Sequence, residues 1–195
     1  MDAATDLLKE RIRRDGQVVG RDILKVDSFL NHQLDPELLK WIGGEFARRF
    51  GHLSVTRILT VEASGIACAL MTGLELGVPV LFAKKLRTRT QGGDVYTAAV
   101  TSYTKGETVP VSVSRRFLQP SDRILIVDDF LAMGEATGSL IDLVSQSGAS
   151  LVGVGIVVEK GFQPGGTRLR EQGVNLHSLV VIDSLGPDGI QFRDR

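Results

Sequence analysis

The chain has 195 residues, 43% of them hydrophobic, so its length suits a single domain with one well-buried core. Its 23 basic and 23 acidic residues cancel, which argues against nucleic acid or an anionic membrane as a partner. A single cysteine, Cys68, excludes an intramolecular disulfide, and no stretch approaches the roughly 20 apolar residues of a membrane span. The three histidines are far apart and lack metal-ligand spacing. We therefore expect a cytoplasmic protein without a directly bound zinc ion.

The first strongly patterned segment is an amphipathic helix at residues 35–50. Asp35 is a good N-cap, Pro36 suits the first helical position, and apolar residues follow at helical spacing. Residues 57–62 are typical of a strand, and residues 66–75 of a helix, with small residues between them. The sequence thus predicts one strand, glycine turn and helix unit.

Later elements repeat this alternation. Further strands are predicted at 78–84, 96–103, 109–113, 124–127, 151–158, 174–182 and 190–192, with a helix at 135–146. The polar segment 85–94 has no apolar periodicity and is a candidate for a mobile loop. Alternating strands and helices predict an α/β protein with a mainly parallel central sheet flanked by helices.

Two aspartates, Asp128 and Asp129, follow the apolar run at 124–127, and a small-residue turn leads from them into a helix. In open α/β sheets, ligands bind beyond the carboxyl ends of the strands. The turn would direct N–H groups of residues 133–137 at an anion such as a dianionic phosphate, while ribose hydroxyls or a magnesium-bound pyrophosphate would relieve the repulsion between the carboxylates. The alternative is a capped turn with solvated aspartates.

This segment resembles the phosphoribosyl pyrophosphate (PRPP) signature of the type I phosphoribosyltransferases. The resemblance implies their α/β fold, with a small hood over the base site, and it implies that Asp128 and Asp129 hold the ribose hydroxyls. Mg²⁺ would enter bound to PRPP. The residues that it implies around the 5-phosphate are Ala132, Met133, Gly134, Glu135, Ala136 and Thr137. Met133 departs from the small or polar residue expected there.

A pyrophosphate site is implied by two further segments. The run Glu62, Ala63, Ser64 and Gly65 resembles the family's pyrophosphate loop, in which one peptide bond is often cis. Lys84 and Lys85 resemble the basic pair after the next strand, which in relatives helps to bind pyrophosphate, sometimes across a dimer interface. The alternative for these lysines is a pair of solvated residues at the end of a strand.

Residues 24–33 and 159–164 resemble segments of bacterial xanthine phosphoribosyltransferases. By this resemblance Leu24 and Asn31 belong to the hood, Lys160 reaches an exocyclic oxygen of xanthine, and Phe162 covers the ring. The hood would consist of residues 16–35 and 160–195 of a single domain spanning 1–195, and the protein would be a homodimer. A structural interpretation, with Leu24 in the core and Asn31 in a turn, stays open.

The implied activity is transfer of 5-phosphoribosyl from PRPP to xanthine, giving xanthosine 5′-monophosphate and pyrophosphate. The segment from Leu86 to Asp94, or the chain through Thr104, would close over the site. The nearest alternative is a guanine or hypoxanthine enzyme. A PRPP-sensing nucleic-acid-binding regulator is less favoured, because the neutral chain shows no basic footprint. Gly153-Val-Gly155 lies inside an apolar strand and does not indicate a dinucleotide site.

Overall fold

A mixed sheet with helices on both faces forms the body of the structure, a computed structural model that describes residues 3–85, 94–101, 108–186 and 189–194. The helices are α1 (Ala3–Asp15), α2 (Pro36–Phe50), α3 (Gly65–Leu76), α4 (Glu135–Ser147) and α5 (Gly165–Glu171). The strands are β1 (Gln17–Val19), β2 (Ile23–Lys25), β3 (Arg57–Val61), β4 (Val80–Lys85), β5 (Val95–Thr101), β6 (Thr108–Ser114), β7 (Arg123–Leu131), β8 (Ser150–Lys160), β9 (Leu176–Gly186) and β10 (Gly189–Phe192). Asp27–Asn31 form a single π-helical turn, and Gly51–Leu53 and Arg115–Phe117 form short 3₁₀ turns.

The strands of the large sheet follow the order β10-β9-β8-β7-β3-β4-β6-β5. The pairs from β9 through β4 are parallel, whereas β10, β6 and β5 pair antiparallel with their neighbours. The predicted mainly parallel sheet is confirmed. Since parallel strands point the same way, β8, β7, β3 and β4 all end at one edge of the sheet.

Side chains of β7 alternate between two hydrophobic cores. Leu125 and Val127 belong to the core that includes residues of α1, α2 and α3, and Ile124 and Ile126 belong to the core that includes residues of α4 and α5. A strand covered on both faces needs apolar residues at successive positions. This explains the uninterrupted apolar run that the sequence shows before Asp128.

The predicted helix at residues 35–50 is confirmed, with its cap. Asp35 Oδ1 accepts hydrogen bonds from the Glu37 and Leu38 amides at 3.1 and 3.2 Å, and Pro36 is the first residue of α2. Arg11 of α1 forms an ion pair with the same carboxylate at 2.5 Å. The cap therefore also joins α1 to α2.

Some boundaries differ from those expected. Strand β7 continues to Leu131, because Phe130 and Leu131 still pair with β8; the prediction that the strand ends before Asp128 is wrong. Helix α1 was not predicted, because its sequence is rich in charged residues. In the structure its Leu8 and Ile12 are buried apolar side chains. The predicted mobile loop and the end of the strand predicted at 96–103 fall largely on residues 86–93 and 102–107, outside the described residues.

The two segments of the predicted hood belong to different sheets. Strands β1 and β2 form a separate two-stranded sheet, whereas β9 and β10, in the C-terminal segment, extend the large sheet. The role of either segment as a hood stays a prediction. Within the described ranges, none of the helices combines the length and apolar character needed to cross a membrane.

Candidate active site

Four of the segments singled out from the sequence meet at the carboxyl edge of the sheet. Lys84 and Lys85 end β4, Glu62 follows β3, Asp128 and Asp129 lie in the last part of β7, and Lys160 ends β8. These strands are neighbours in the sheet and parallel. The fold thus gathers cations, carboxylates and a small-residue turn at the edge where α/β proteins bind ligands.

The two aspartates are buried next to each other. Asp128 is 4% exposed and Asp129 6%, and the Asp129 amide donates to Asp128 Oδ1 at 3.1 Å. Burial, followed by the neighbouring Asp129 charge, raises the pKa of Asp128 well above its ordinary value, while the charge of Lys85 opposes the shift. A ligand that offers hydroxyl groups or positive charge would relieve this unfavourable pairing.

The first residue of α3, Gly65, packs directly against Asp128 and Thr60. A Cβ placed on Gly65 would overlap both Asp128 Oδ1 and Thr60 Oγ1, so only glycine allows α3 to approach so closely. Thr60 is fully buried, and its hydroxyl has no hydrogen-bond partner among the described residues. Thr60 was not predicted from the sequence, although a polar residue between the apolar Leu59 and Val61 was a signal of it.

We expect Gly65→Ala to disturb both stability and the site. Overpacking against buried polar atoms should lower the free energy of unfolding by about 2 kcal/mol and shift the Asp128 carboxylate. Urea denaturation and turnover assays measure the two effects. The matched control is Gly44→Ala in α2, where a Cβ meets no atom within 4 Å; stability there should stay equal or rise by up to about 1 kcal/mol. Equal behaviour of the two variants would contradict the packing argument.

The predicted pyrophosphate loop is tied to β4 through Glu62. Its Oε1 accepts a hydrogen bond from the Lys85 amide at 2.7 Å, and its own amide donates to the Ala83 carbonyl at 3.1 Å. The Glu62–Ala63 peptide bond is cis. The Glu62 side chain therefore holds the loop beside Lys85, whose side chain is exposed, as is that of Lys84.

The predicted phosphate loop leads from β7 into α4. Gly134 is the N-cap residue of α4, with a φ of 87° that favours glycine. Glu135, Ala136 and Thr137 form the first turn of this helix, where N–H groups lack intrahelical acceptors. Such a helix start suits an anion, which the partial positive charge of the helix stabilises further.

The residues predicted around the base lie in two places. Lys160 donates from Nζ to the Asp22 carbonyl at 2.6 Å, which joins the end of β8 to the turn between β1 and β2; burial lowers its pKa. Phe162 follows in the next turn and is 38% exposed. Leu24 is packed in the core, as its structural interpretation expected, and Asn31 is exposed at the end of the π-helical turn. The contacts of these residues with a base stay predictions.

A buried carboxylate beside Lys160 received no role from the sequence. Glu159 is 2% exposed and accepts two hydrogen bonds from Arg170, both 2.7 Å long, and one from Ser178. Burial alone would raise the pKa of Glu159, but these hydrogen bonds outweigh it and hold the pKa below its ordinary value. The network anchors α5 to β8 and β9.

Curated relatives match almost the whole chain. The xanthine phosphoribosyltransferase of Moorella thermoacetica is 55% identical over 190 residues, 97% of each chain. That of Bacillus thuringiensis is 53% identical over 186 residues, 95% of this chain and 94% of its own. The enzyme of the same name from Oceanobacillus iheyensis is 49% identical over 189 residues, 97% of each chain. No family model matches the chain.

Solved structures share the fold at low sequence identity. The adenine phosphoribosyltransferase of Rhodothermus marinus superposes with a TM-score of 0.74 at 21% identity, covering 93% of this chain and 99% of its own. The adenine phosphoribosyltransferase of Trypanosoma brucei, in complex with AMP, pyrophosphate and ribose-5-phosphate, gives a TM-score of 0.74 at 21% identity, covering 89% and 79% of the two chains. The predicted type I phosphoribosyltransferase fold is thereby confirmed.

Proposed function

The chain belongs to the xanthine phosphoribosyltransferase family, and from this membership we propose that it transfers the 5-phosphoribosyl group of PRPP to xanthine. The products are xanthosine 5′-monophosphate and pyrophosphate. The observation that carries the proposal is the 55% identity that extends over 97% of both chains. The grouping of carboxylates, lysines and a phosphate-type helix start at one sheet edge supports it independently.

In this proposal, catalysis is electrostatic. Positive charge grows on the ribose as pyrophosphate departs, and negative charge grows on the departing oxygens. Asp128 and Asp129 contact the ribose hydroxyls and favour the cationic sugar, while Lys84, Lys85 and the loop Glu62–Gly65 take up the pyrophosphate. The N–H groups of residues 132–137 hold the 5-phosphate. No covalent bond to the protein is required.

Magnesium, when bound with PRPP, neutralises charge on the pyrophosphate. Asp128 and Asp129 supply the hard oxygen atoms that this ion prefers. Among the described residues, however, no three acidic, histidine or cysteine side chains converge into a metal site. An ion held at this edge would therefore take most of its ligands from pyrophosphate and water, and its binding together with PRPP stays a prediction.

The base site is proposed around Lys160 and Phe162. A lysine ammonium has three donors, and the Asp22 carbonyl accepts one, so two remain for an electron-rich oxygen of xanthine. The exposed ring of Phe162 offers a flat apolar face for a purine. Asn31, which is exposed and can both donate and accept, is the proposed polar residue of the hood, and Leu24 supports the hood from the core.

The wider biological setting is also a proposal. The 55% identity to a xanthine phosphoribosyltransferase over 97% of the chain supports a role in purine salvage. A cytoplasmic location and a homodimer are proposed with it, from the family resemblance alone.

The direct test supplies purified protein with magnesium, PRPP and equal amounts of xanthine, guanine, hypoxanthine and adenine, and separates the nucleotides by chromatography. We expect mainly xanthosine 5′-monophosphate. The same preparation of Asp129→Asn controls for contaminating host enzymes, since only the protein's own activity should fall with the variant. If guanosine or inosine monophosphate is the main product, the preferred base is guanine or hypoxanthine and not xanthine. If no nucleotide forms from any base, the proposal is refuted.

A further inference from the structure

Helix α5 begins in contact with the segment Ala132–Gly134, which connects β7 to α4. The Gly165 amide donates to the Ala132 carbonyl at 3.0 Å. A Cβ placed on Gly165 would overlap that carbonyl oxygen and lie 2.7 Å from the Gly134 nitrogen. Only glycine permits this approach, so the start of α5 and the segment Ala132–Gly134 are fitted closely to each other.

Arg168, nearly one turn further along α5, contacts the next carbonyl of the same segment. Its guanidinium donates a hydrogen bond to the Met133 carbonyl and lies 3.8 Å from a carboxylate oxygen of Glu135. The side chain is 51% exposed and lines a groove of about 280 Å³ bordered by α4 and α5. Helix α5 therefore holds two successive carbonyls, those of Ala132 and Met133.

The direction of each carbonyl also fixes the direction of the N–H in the same peptide group. A trans peptide points its carbonyl and its N–H in opposite directions. The Ala132 carbonyl shares a peptide with the Met133 N–H, and the Met133 carbonyl shares one with the Gly134 N–H. With both carbonyls turned toward α5, both N–H groups point away from it. In the part of the chain that the structure describes, neither N–H donates a hydrogen bond.

We propose that Arg168 is a positioning residue that fixes the Met133 and Gly134 N–H groups for the 5-phosphate of the donor substrate. This role rests on the proposed function. The side chain does not touch the phosphate; it acts by holding the Met133 carbonyl on the opposite side of the loop. A loop ordered in advance binds its anion without first losing conformational freedom, so the contact strengthens phosphate binding selectively.

The test compares Arg168→Gln with Arg116→Gln, the same substitution of an exposed arginine in the 3₁₀ turn that precedes β7. A lost hydrogen bond from a charged donor predicts that Arg168→Gln raises KM for PRPP about tenfold, and the Kd for ribose 5-phosphate by a similar factor. KM for xanthine and kcat should change less than about twofold. Arg168→Lys, which keeps one charged donor, should restore part of the affinity, and Arg116→Gln should match the wild type.

Calorimetry with ribose 5-phosphate separates this inference from the proposed function. A wild type that makes no nucleotide from any base, but binds ribose 5-phosphate more tightly than Arg168→Gln does, would refute the proposed function and leave the role of Arg168 intact. Unchanged ribose 5-phosphate affinity in Arg168→Gln would overturn the inference even in an active enzyme. Equal rises in both KM values together with a lower Tm would also overturn it, because they indicate general damage to the fold.

Discussion

Asp128→Asn is expected to lower kcat at least about 100-fold and, at the same time, to stabilise the folded protein. The catalytic loss follows because an amide cannot offer negative charge to the cationic sugar of the proposed reaction. The stabilisation follows because the wild-type carboxyl is buried beside Asp129. We expect a gain of about 1 kcal/mol, or roughly 3 °C in Tm, at pH 8. Turnover assays and thermal denaturation measure the two effects on one preparation.

The pH dependence of the gain has a definite sign. Because the pKa of Asp128 is raised on folding, the folded protein retains a proton that the unfolded chain has lost. The free energy of unfolding of the wild type therefore falls as pH rises from the ordinary aspartate value through the raised one. The advantage of Asp128→Asn should grow over the same interval and shrink toward acidic pH. Asp142→Asn, at an exposed position of α4, is the control for the substitution itself.

The second large effect is expected from Arg170→Met. This change leaves the Glu159 carboxylate buried without its cation, and loss of one partner of a buried ion pair typically costs about 3 kcal/mol or more. Because Arg170 is itself partly exposed, we expect the lower end of that range. Urea denaturation at pH 7 measures the loss. Arg48→Met, which removes an exposed partner of Glu45, should cost less than about 1 kcal/mol.

Acidification distinguishes this effect from a loss of packing. In the wild type the pKa of Glu159 is lowered, so its contribution to stability is present above the ordinary glutamate value and is lost as pH falls below it. In Arg170→Met, burial acts on the carboxyl without its cation, and protonation should recover stability between pH 7 and pH 5. The difference between wild type and variant should therefore narrow at pH 5. An equal difference at both values would assign the loss to the arginine side chain's packing.

Local patterns predicted much of the fold. The cap at Asp35 and the apolar spacing located α2, and alternating elements indicated the parallel sheet. The end of β7 was not predictable in this way, because aspartates rarely continue a strand and the hydrogen bonds that extend it come from β8, distant in sequence. Helix α1 was not predicted for a related reason. Its stability comes from the packing of Leu8 and Ile12 on the rest of the core.

In the candidate site too, contiguous motifs were predictable from the sequence and contacts between distant residues were not. Asp128, Asp129 and the turn after them form a contiguous motif, and the structure brings that motif to the sheet edge with Glu62 and Lys85. The supporting residues have no local signal. Lys160 meets the Asp22 carbonyl across 138 positions of sequence, and Arg168 meets Met133 across 35. Such partners follow from the folded arrangement and not from any spacing within a segment.

Because Cys68 is buried, its reaction with an alkylating reagent reports when α3 separates from the sheet. The thiol is fully buried in α3, and burial, followed by the charges of Asp129 and Asp128, raises its pKa. Since only the thiolate reacts, an alkylating reagent must wait until α3 leaves the sheet. As the chain has one cysteine, each molecule gains a single mass increment when this happens. The labelling rate, measured with and without PRPP as the proposed donor substrate, therefore tests whether binding at the aspartate pair keeps α3 in place.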